Sequence, residues 1–510
     1  MWTTSSVAKN ENLYNTLDIA INIKFPMAAT TVKDISNPDT YKGLYSFHKY
    51  WGKKPTESIS FFIQNYTSIT DIVLDPFLGS GLISRECLSQ KRRFIGIDIN
   101  PFSVEHTKFL LELPEATSFR ETFKSVETNI KQKINDTYRT SNGKIASHYL
   151  WNGKNLSKIW IKPEVGRSRI EIEPNEFDWE NFNSFSQYSV RNIREAIFFT
   201  NSRINSNNQM SIYDLFTSRS LHNIDLILDE VKTLPDTLKR AFLLTLTSSS
   251  GQMSSMVFAI TNRGKAKKQV SNKIEVGSWV IGYWRPHLHF EINVWNCFES
   301  RANKLHKTLL NIGRREHPQC ESINRLLEST QGALILNEDC LSVMKTIPEK
   351  TIKLICTDPP HSDRIPYLEL SEMWNSILNE KVCFEKEIIV SNAKERNKKK
   401  DEYIKQMKLF INEASRVLTD EGIFLMYFNA RDKQSWRFLE VLENSSDLNF
   451  VGTFPMEYSA NSVVQDNRKG GLKTDYVLVL VKKRFNIKFQ HRLDEIPGWS
   501  ASLPKVGLEP

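Results

Sequence analysis

The sequence predicts an α/β fold whose mostly parallel sheet is built from two blocks separated by a long insertion. Three observations carry that expectation. Residues 71–99 read as strand, glycine turn, helix and strand; an apolar run at 352–356 stops at Asp358-Pro359-Pro360-His361; and the α/β rhythm fades after the first block and resumes past Gly332.

With 510 residues the chain is long enough for two or three domains. The 68 Lys and Arg against 59 Asp and Glu leave a net charge of +9, a mild basic bias compatible with a nucleic-acid partner. Six cysteines without a C-x-x-C pair argue against a disulfide framework or a zinc ribbon, and for a reducing cytoplasmic setting. Residues 1–10 lack the basic start and apolar core of a signal peptide, and no uncharged apolar run reaches membrane-spanning length.

In chain order, residues 1–40 are expected to form a polar arm with one strand near 19–25. The stretch Phe47-His-Lys-Tyr-Trp-Gly-Lys-Lys-Pro55 is dense in aromatic and basic residues and leads into a helix at 57–63. Residues 71–77 form a strand, 78–81 a glycine turn, 82–90 a helix and 94–99 a second strand. This is a nucleotide-binding type of βαβ unit: Gly79 and Gly81 permit positive φ and close backbone approach, and Asp98 stands where a carboxylate accepts ribose hydroxyls. Gly81 is followed by Leu-Ile-Ser, which departs from the phosphate-binding Gly-x-Gly-x-x-Gly. A cofactor without a pyrophosphate is therefore expected.

Helical patterns are expected near 114–135, 190–200, 221–234 and 238–247, and residues 291–301 also have helical spacing. A basic run at 263–268 suits phosphate contact or a solvated loop. His287-x-His289 lacks further ligands at metal-binding distances. In the second block, strands are expected at 334–339, 352–356 and 421–428, with helices at 341–347, 403–418 and 435–442. A closing hairpin pairs 450–454 with 476–481 across a polar loop containing 465–471. The basic cluster 394–400 reads as a solvated face.

Asp358 thus stands at a strand's C-terminal edge, where open α/β sheets place ligands. The two prolines stiffen the backbone after it. One carboxylate and one rigid carbonyl can together accept both hydrogens of an exocyclic amine.

These residues carry a family resemblance. Asp75-Pro-Phe-Leu-Gly-Ser-Gly81 resembles the Asp-Pro-Phe-x-Gly-Ser-Gly cofactor motif of the DNA amino-methyltransferases, and Asp358-Pro-Pro-His361 resembles their Asp-Pro-Pro-Tyr catalytic motif. The segment 48–55, the residues 337–344 and the residues 413–424 also resemble that family at matching places. The resemblance implies a Rossmann-like seven-stranded methyltransferase sheet, mostly parallel with one antiparallel edge hairpin, and a large, mainly helical insertion. It divides the chain into an arm (1–40), a cofactor block (41–113), an insertion and probable target-recognition region (114–330), a catalytic block (331–485) and a tail (486–510).

The resemblance further implies S-adenosyl-L-methionine as cofactor, held by Asp75, Phe77, Gly79, Gly81, Asp98 and Asp339, and double-stranded DNA as substrate. A cognate restriction or defence-system protein is an expected partner. Catalysis falls to Asp358, Pro359, Pro360 and His361, with the target base flipped out of the stack. His361 replaces the usual Tyr and is expected to stack on the base, with Tyr367, Tyr50 or Trp51 in support. Cytosine C5 chemistry needs a thiolate, usually in a Pro-Cys pair, and the chain has none. Asp rather than Ser at 358 favours adenine N6 over cytosine N4. The rival reading is a catalytically inactive DNA-binding subunit of the same fold.

Overall fold

The structure, a computed structural model, describes residues 41–162, 169–261, 274–313, 315–430, 432–444, 446–457, 474–483 and 500. The expected strand near 19–25, the basic run 263–268, the polar loop 465–471 and the tail, Ser500 apart, lie outside the described residues. The first block runs α1 (Thr56–Tyr66), β1 (Ile72–Asp75), α2 (Leu82–Ser89), β2 (Arg93–Asp98) and α3 (Pro101–Leu111). The insertion follows with α4 (Ala116–Asp136), β3 (Ala146–Asn152), β4 (Asn155–Ile161), β5 (Ile170–Ile172) and α5 (Glu176–Asn183). It continues with α6 (Ser218–Val231), α7 (Asp236–Met253), β6 (Val257–Ile260), β7 (Glu275–Val276), β8 (Leu288–Ile292), α8 (Val294–Ile312) and α9 (Ile323–Glu328). The second block is β9 (Ala333–Asn337), α10 (Cys340–Met344), β10 (Ile352–Thr357), α11 (Tyr367–Leu378), α12 (Lys400–Val417), β11 (Leu418–Phe428), β12 (Leu448–Glu457) and β13 (Thr474–Lys482).

Seven strands form the main sheet in the order β9-β2-β1-β10-β11-β13-β12. Pairing is parallel from β9 to β11 and antiparallel where β13 meets β11 and β12. The expected hairpin is present, with Phe450 opposite Leu480 and Phe454 opposite Val477. Strand alternation feeds two cores. Ile72 and Leu74 join Ile95, Ile97, Ile355 and Phe424 on one face, under Met407, Phe410, Ile411 and Ala414 of α12. Val73 points the other way with Phe94, Leu354 and Leu425, in a core that runs through Phe102 and Trp374 into Phe242, Trp295 and Leu305 of the insertion. Each large apolar side chain buried in this way contributes roughly 1.5–3 kcal/mol. The insertion therefore packs onto the sheet rather than standing apart from it.

Four expectations are corrected. Besides its helices, the insertion holds a six-stranded sheet, β5-β4-β3-β8-β6-β7, largely antiparallel. Three of its strands, β5, β6 and β7, have four residues or fewer, too few for alternation to show in the sequence. Residues 190–200 are not helical, because their amides bond outward: Arg191 and Asn192 donate to Asp225 at 2.8 and 3.0 Å, and Phe198 donates to the Met210 carbonyl at 2.9 Å. The stretch 291–301 changes from strand to helix at Asn293, whose side chain caps α8. Finally, Arg396 in the basic cluster is buried, 2.9 Å from Glu369 and 2.7 Å from Glu387. Among the described residues no group of three metal-ligating side chains converges, and no helix is long and apolar enough to cross a membrane.

Candidate active site

The parallel strands β9, β2, β1 and β10 are neighbours in that order, and the residues at or just beyond their C-terminal ends are Asp339, Asp98, Asp75 and Asp358. All four line one cleft of about 880 Å³ including its mouth. Phe77, Gly79, Pro360, Tyr50, Tyr367 and Glu387 also face it. Four carboxylates on one wall suit a ligand rich in amines and hydroxyls and disfavour a pyrophosphate.

The glycine turn is fixed by sterics. Gly79 has φ +51° and Gly81 φ +71°, and a Cβ on Gly81 would lie 2.2 Å from the Thr107 hydroxyl. The Gly79 amide donates to Asp98 at 2.7 Å, and the Asn100 amide donates to its other oxygen at 2.8 Å. Burial pushes the Asp98 carboxyl up to about 6 against those two bonds. Asp75 is more deeply buried. Desolvation raises its carboxyl to about 8, although Thr357 donates a hydroxyl to it at 2.6 Å and the Phe77 amide at 3.2 Å. Asp339 caps α10, accepting from the amides of Leu341 and Ser342 and from the Ser342 hydroxyl.

At the other end of the cleft, Asp358 is set in a cluster of charges. Lys54 Nζ is 2.8 Å from Asp358 Oδ2 and 2.8 Å from Asp475 Oδ2. Arg364 Nη1 donates to Asp475 Oδ1 at 2.7 Å and to His361 Nδ1 at 2.8 Å. Arginine can only donate, so Nδ1 is the acceptor and Nε2 carries the hydrogen, which points to the Tyr427 carbonyl at 3.1 Å. That bond explains a second feature. Asp358 Oδ1 lies 3.0 Å from His361 Nε2, yet it is a buried oxygen without a hydrogen-bond partner. Asp475 is held well below the usual carboxylate range by the Lys54 ammonium and the Arg364 guanidinium, which outweigh its burial.

His361 does not line the cleft. It is 8% exposed and its ring meets Phe428 edge-on, with centroids 5.1 Å apart. The expected stacking role thus has no open face, because the ring is spent on packing and on Arg364. Pro359 and Gly81 also stand behind the lining, whereas Asp358 and Pro360 face the cleft. The aromatic wall comes from Tyr50 and Tyr367, stacked at 5.8 Å and 14°. Trp51 also lines the cleft, with its ring stacked on Trp374 at 4.8 Å and Trp279 edge-on to both.

Sequence reasoning missed Thr357, Arg364 and Asp475, and read Lys54 only as part of an aromatic and basic stretch. Arg364, three residues past His361, was within reach of a local reading. Asp475 was not, since nothing in residues 474–482 distinguishes its acid from any other strand-edge residue.

Comparison with known proteins agrees with the first block. A family model described as DNA methylase, of the N6/N4 methyltransferases, matches residues 3–109. Over these residues the chain is similar to the N6/N4 DNA methylases. The Type II methyltransferase M.MjaII of Methanocaldococcus jannaschii is 33% identical to this chain over 69 residues, which is 14% of this chain's length. The chain spans only 13% of that relative's length. Among solved structures, the crystal structure of PH0851 aligns over 36% of this chain and 35% of its own, at 12% identity. Its TM-score of 0.19 carries no argument about the fold.

Proposed function

We propose that the protein methylates the exocyclic amine of a flipped base in double-stranded DNA, preferentially adenine N6, with S-adenosyl-L-methionine as donor. The observation that carries the reading is the row of Asp339, Asp98, Asp75 and Asp358 along one cleft, at the C-terminal ends of neighbouring parallel strands.

The cofactor fits the remaining wall. Asp339, Asp98 and Asp75 stand in the order in which an adenine amine, ribose hydroxyls and a methionine ammonium follow one another along that molecule. The turn at Gly79 and Gly81 leaves no room for side chains where the chain passes. When bound, S-adenosylmethionine supplies an electrophilic methyl group.

The chain's own residues then do the following. Asp358, which faces the cleft, accepts an amine hydrogen. The Pro360 carbonyl is already engaged by the Tyr403 hydroxyl at 2.7 Å and the Ser362 amide at 3.0 Å, and Pro359 stands behind the lining, so the carboxylate is the acceptor the site offers. Accepting the hydrogen draws the nitrogen towards sp³ and frees its lone pair for in-line attack. Tyr367 holds the ring by stacking, with Tyr50 behind it. Asp358 retains the preference for adenine, and the insertion supplies target recognition.

The test is transfer of labelled methyl groups to mixed-sequence duplex DNA, followed by nucleoside analysis. Wild type is expected to form N6-methyladenine, and Asp358→Ala to lose roughly 100-fold or more. N4-methylcytosine would move the base preference. Full activity in Asp358→Ala would overturn the mechanism, and no transfer to any DNA by wild type would favour the inactive DNA-binding subunit.

A further inference from the structure

Lys54 lies in the segment before α1, more than 300 residues from Asp358, and is 7% exposed at its side chain. A buried ammonium is costly unless it is paired. Here it is paired twice, at 2.8 Å to Asp358 and 2.8 Å to Asp475, and it also donates to the Gly52 carbonyl at 3.3 Å. Asp475, 2% exposed at its side chain, is itself fixed by Arg364 at 2.7 Å and by its place on β13 opposite Met456. The ammonium is therefore held from behind by a carboxylate that cannot move. It meets Asp358 at Oδ2, while Oδ1 lies on the other side, 3.0 Å from His361 Nε2.

We propose that Lys54, clamped by Asp475, is the positioning residue of the methyl-transfer site: it ties down Asp358 Oδ2 and so fixes the orientation of the carboxylate that meets the amine. The proposal rests on the function proposed above. It makes Lys54 and Asp475 a unit that acts through Asp358, without contact with the reacting atoms. A tethered carboxylate suits the reaction because catalysis loses steeply with misplacement.

Other titratable groups surround Asp358 from each neighbouring element. His361 and Arg364 follow it in the same loop, Asp75 ends β1, Tyr367 opens α11, and Cys356 and Tyr427 lie on β10 and β11. Of these, His361 Nε2 at 3.0 Å from Oδ1 is directed to the Tyr427 carbonyl. None replaces Lys54 at Oδ2.

The test measures kcat, KM for duplex DNA and cofactor affinity by calorimetry for K54M, K54R and D475N, beside Asp358→Ala. K54M is expected to lower kcat roughly 100-fold, with KM and cofactor affinity within about twofold of wild type. K54R restores part of kcat, and D475N lowers it with the same unchanged KM and cofactor affinity. A loss confined to kcat and rescued by K54R is a signature that general structural damage does not produce. If K54M does not fold, D475N and K54R decide by the same readouts. Wild-type kcat in K54M, or in D475N where K54M is unfolded, would overturn the proposal while Asp358→Ala stays inactive. Full activity in Asp358→Ala would instead overturn the underlying function.

Discussion

The Thr357 hydroxyl donates to Asp75 Oδ1 at 2.6 Å and so ties the last residue of β10 to the last residue of β1. The bond crosses between the two neighbouring strands that lead to Asp358 and Asp75. Asp75 is 1% exposed, and its environment lifts the carboxyl to about 8 mainly through desolvation. A carboxyl raised in the folded state binds its proton more tightly there than in the unfolded chain. Its contribution to stability is therefore fully present at low pH and is lost as pH rises from about 4 to about 8. Asp75→Asn is expected to remove that loss, which is of the order of a few kcal/mol. Thermal melts of both proteins across pH 5 to 8 check the sign: the variant should gain on wild type as pH increases.

Thr357→Val keeps the shape of the strand end and deletes the donor. An unsatisfied buried acceptor costs about 1–3 kcal/mol, so the variant should melt earlier, and more so at high pH where Asp75 is charged. Denaturant unfolding at pH 6 and pH 8.5 measures both effects.

Gly81→Ala tests the turn. At φ +71°, with Thr107 Oγ1 2.2 Å from the added methyl group, neither partner has slack. A loss of roughly 2 kcal/mol or more in stability is expected, together with weakened cofactor binding seen by calorimetry.

Tyr367→Ala removes the stacking face, and Tyr367→Phe keeps it. The first should weaken transfer by about 10- to 100-fold, in line with roughly 1–3 kcal/mol per stacked base, and the second should stay near wild type. Fluorescence of 2-aminopurine at the target position reports whether the base still leaves the duplex. Equal loss in both variants would assign the role to the hydroxyl, which stands 3.0 Å from the Cβ position of Gly52.

His361→Tyr would restore the residue common in this motif, but the pocket around the imidazole is closed. The larger ring meets Phe428 and displaces Arg364, and a cost of about 1–3 kcal/mol is expected, with activity reduced rather than preserved. Melting temperature and initial rate together test this.

The sequence by itself determined the parts whose signal is local. Asp75 to Gly81 announced a turn that only glycine permits, and Asp358-Pro359-Pro360 announced a strand stopped at an acid. The hairpin register near Phe450 and Leu480 followed from alternation, and α12 from its apolar stripe. Tertiary structure decided what depends on approach between distant segments. The insertion's antiparallel sheet includes strands of two to four residues whose pattern is ambiguous until they pair. The stretch 190–200 gave up helical bonds because Asp225 offered better ones. His361, legible as a motif residue, is turned away from the cleft by Arg364 and Phe428. Lys54, Asp358 and Asp475 come from three separate segments and meet only when β10 and β13 take their places beside β11. Burial makes that meeting matter: in water three such charges would attract weakly, whereas in the folded interior each must find its partner, and the partners fix one another.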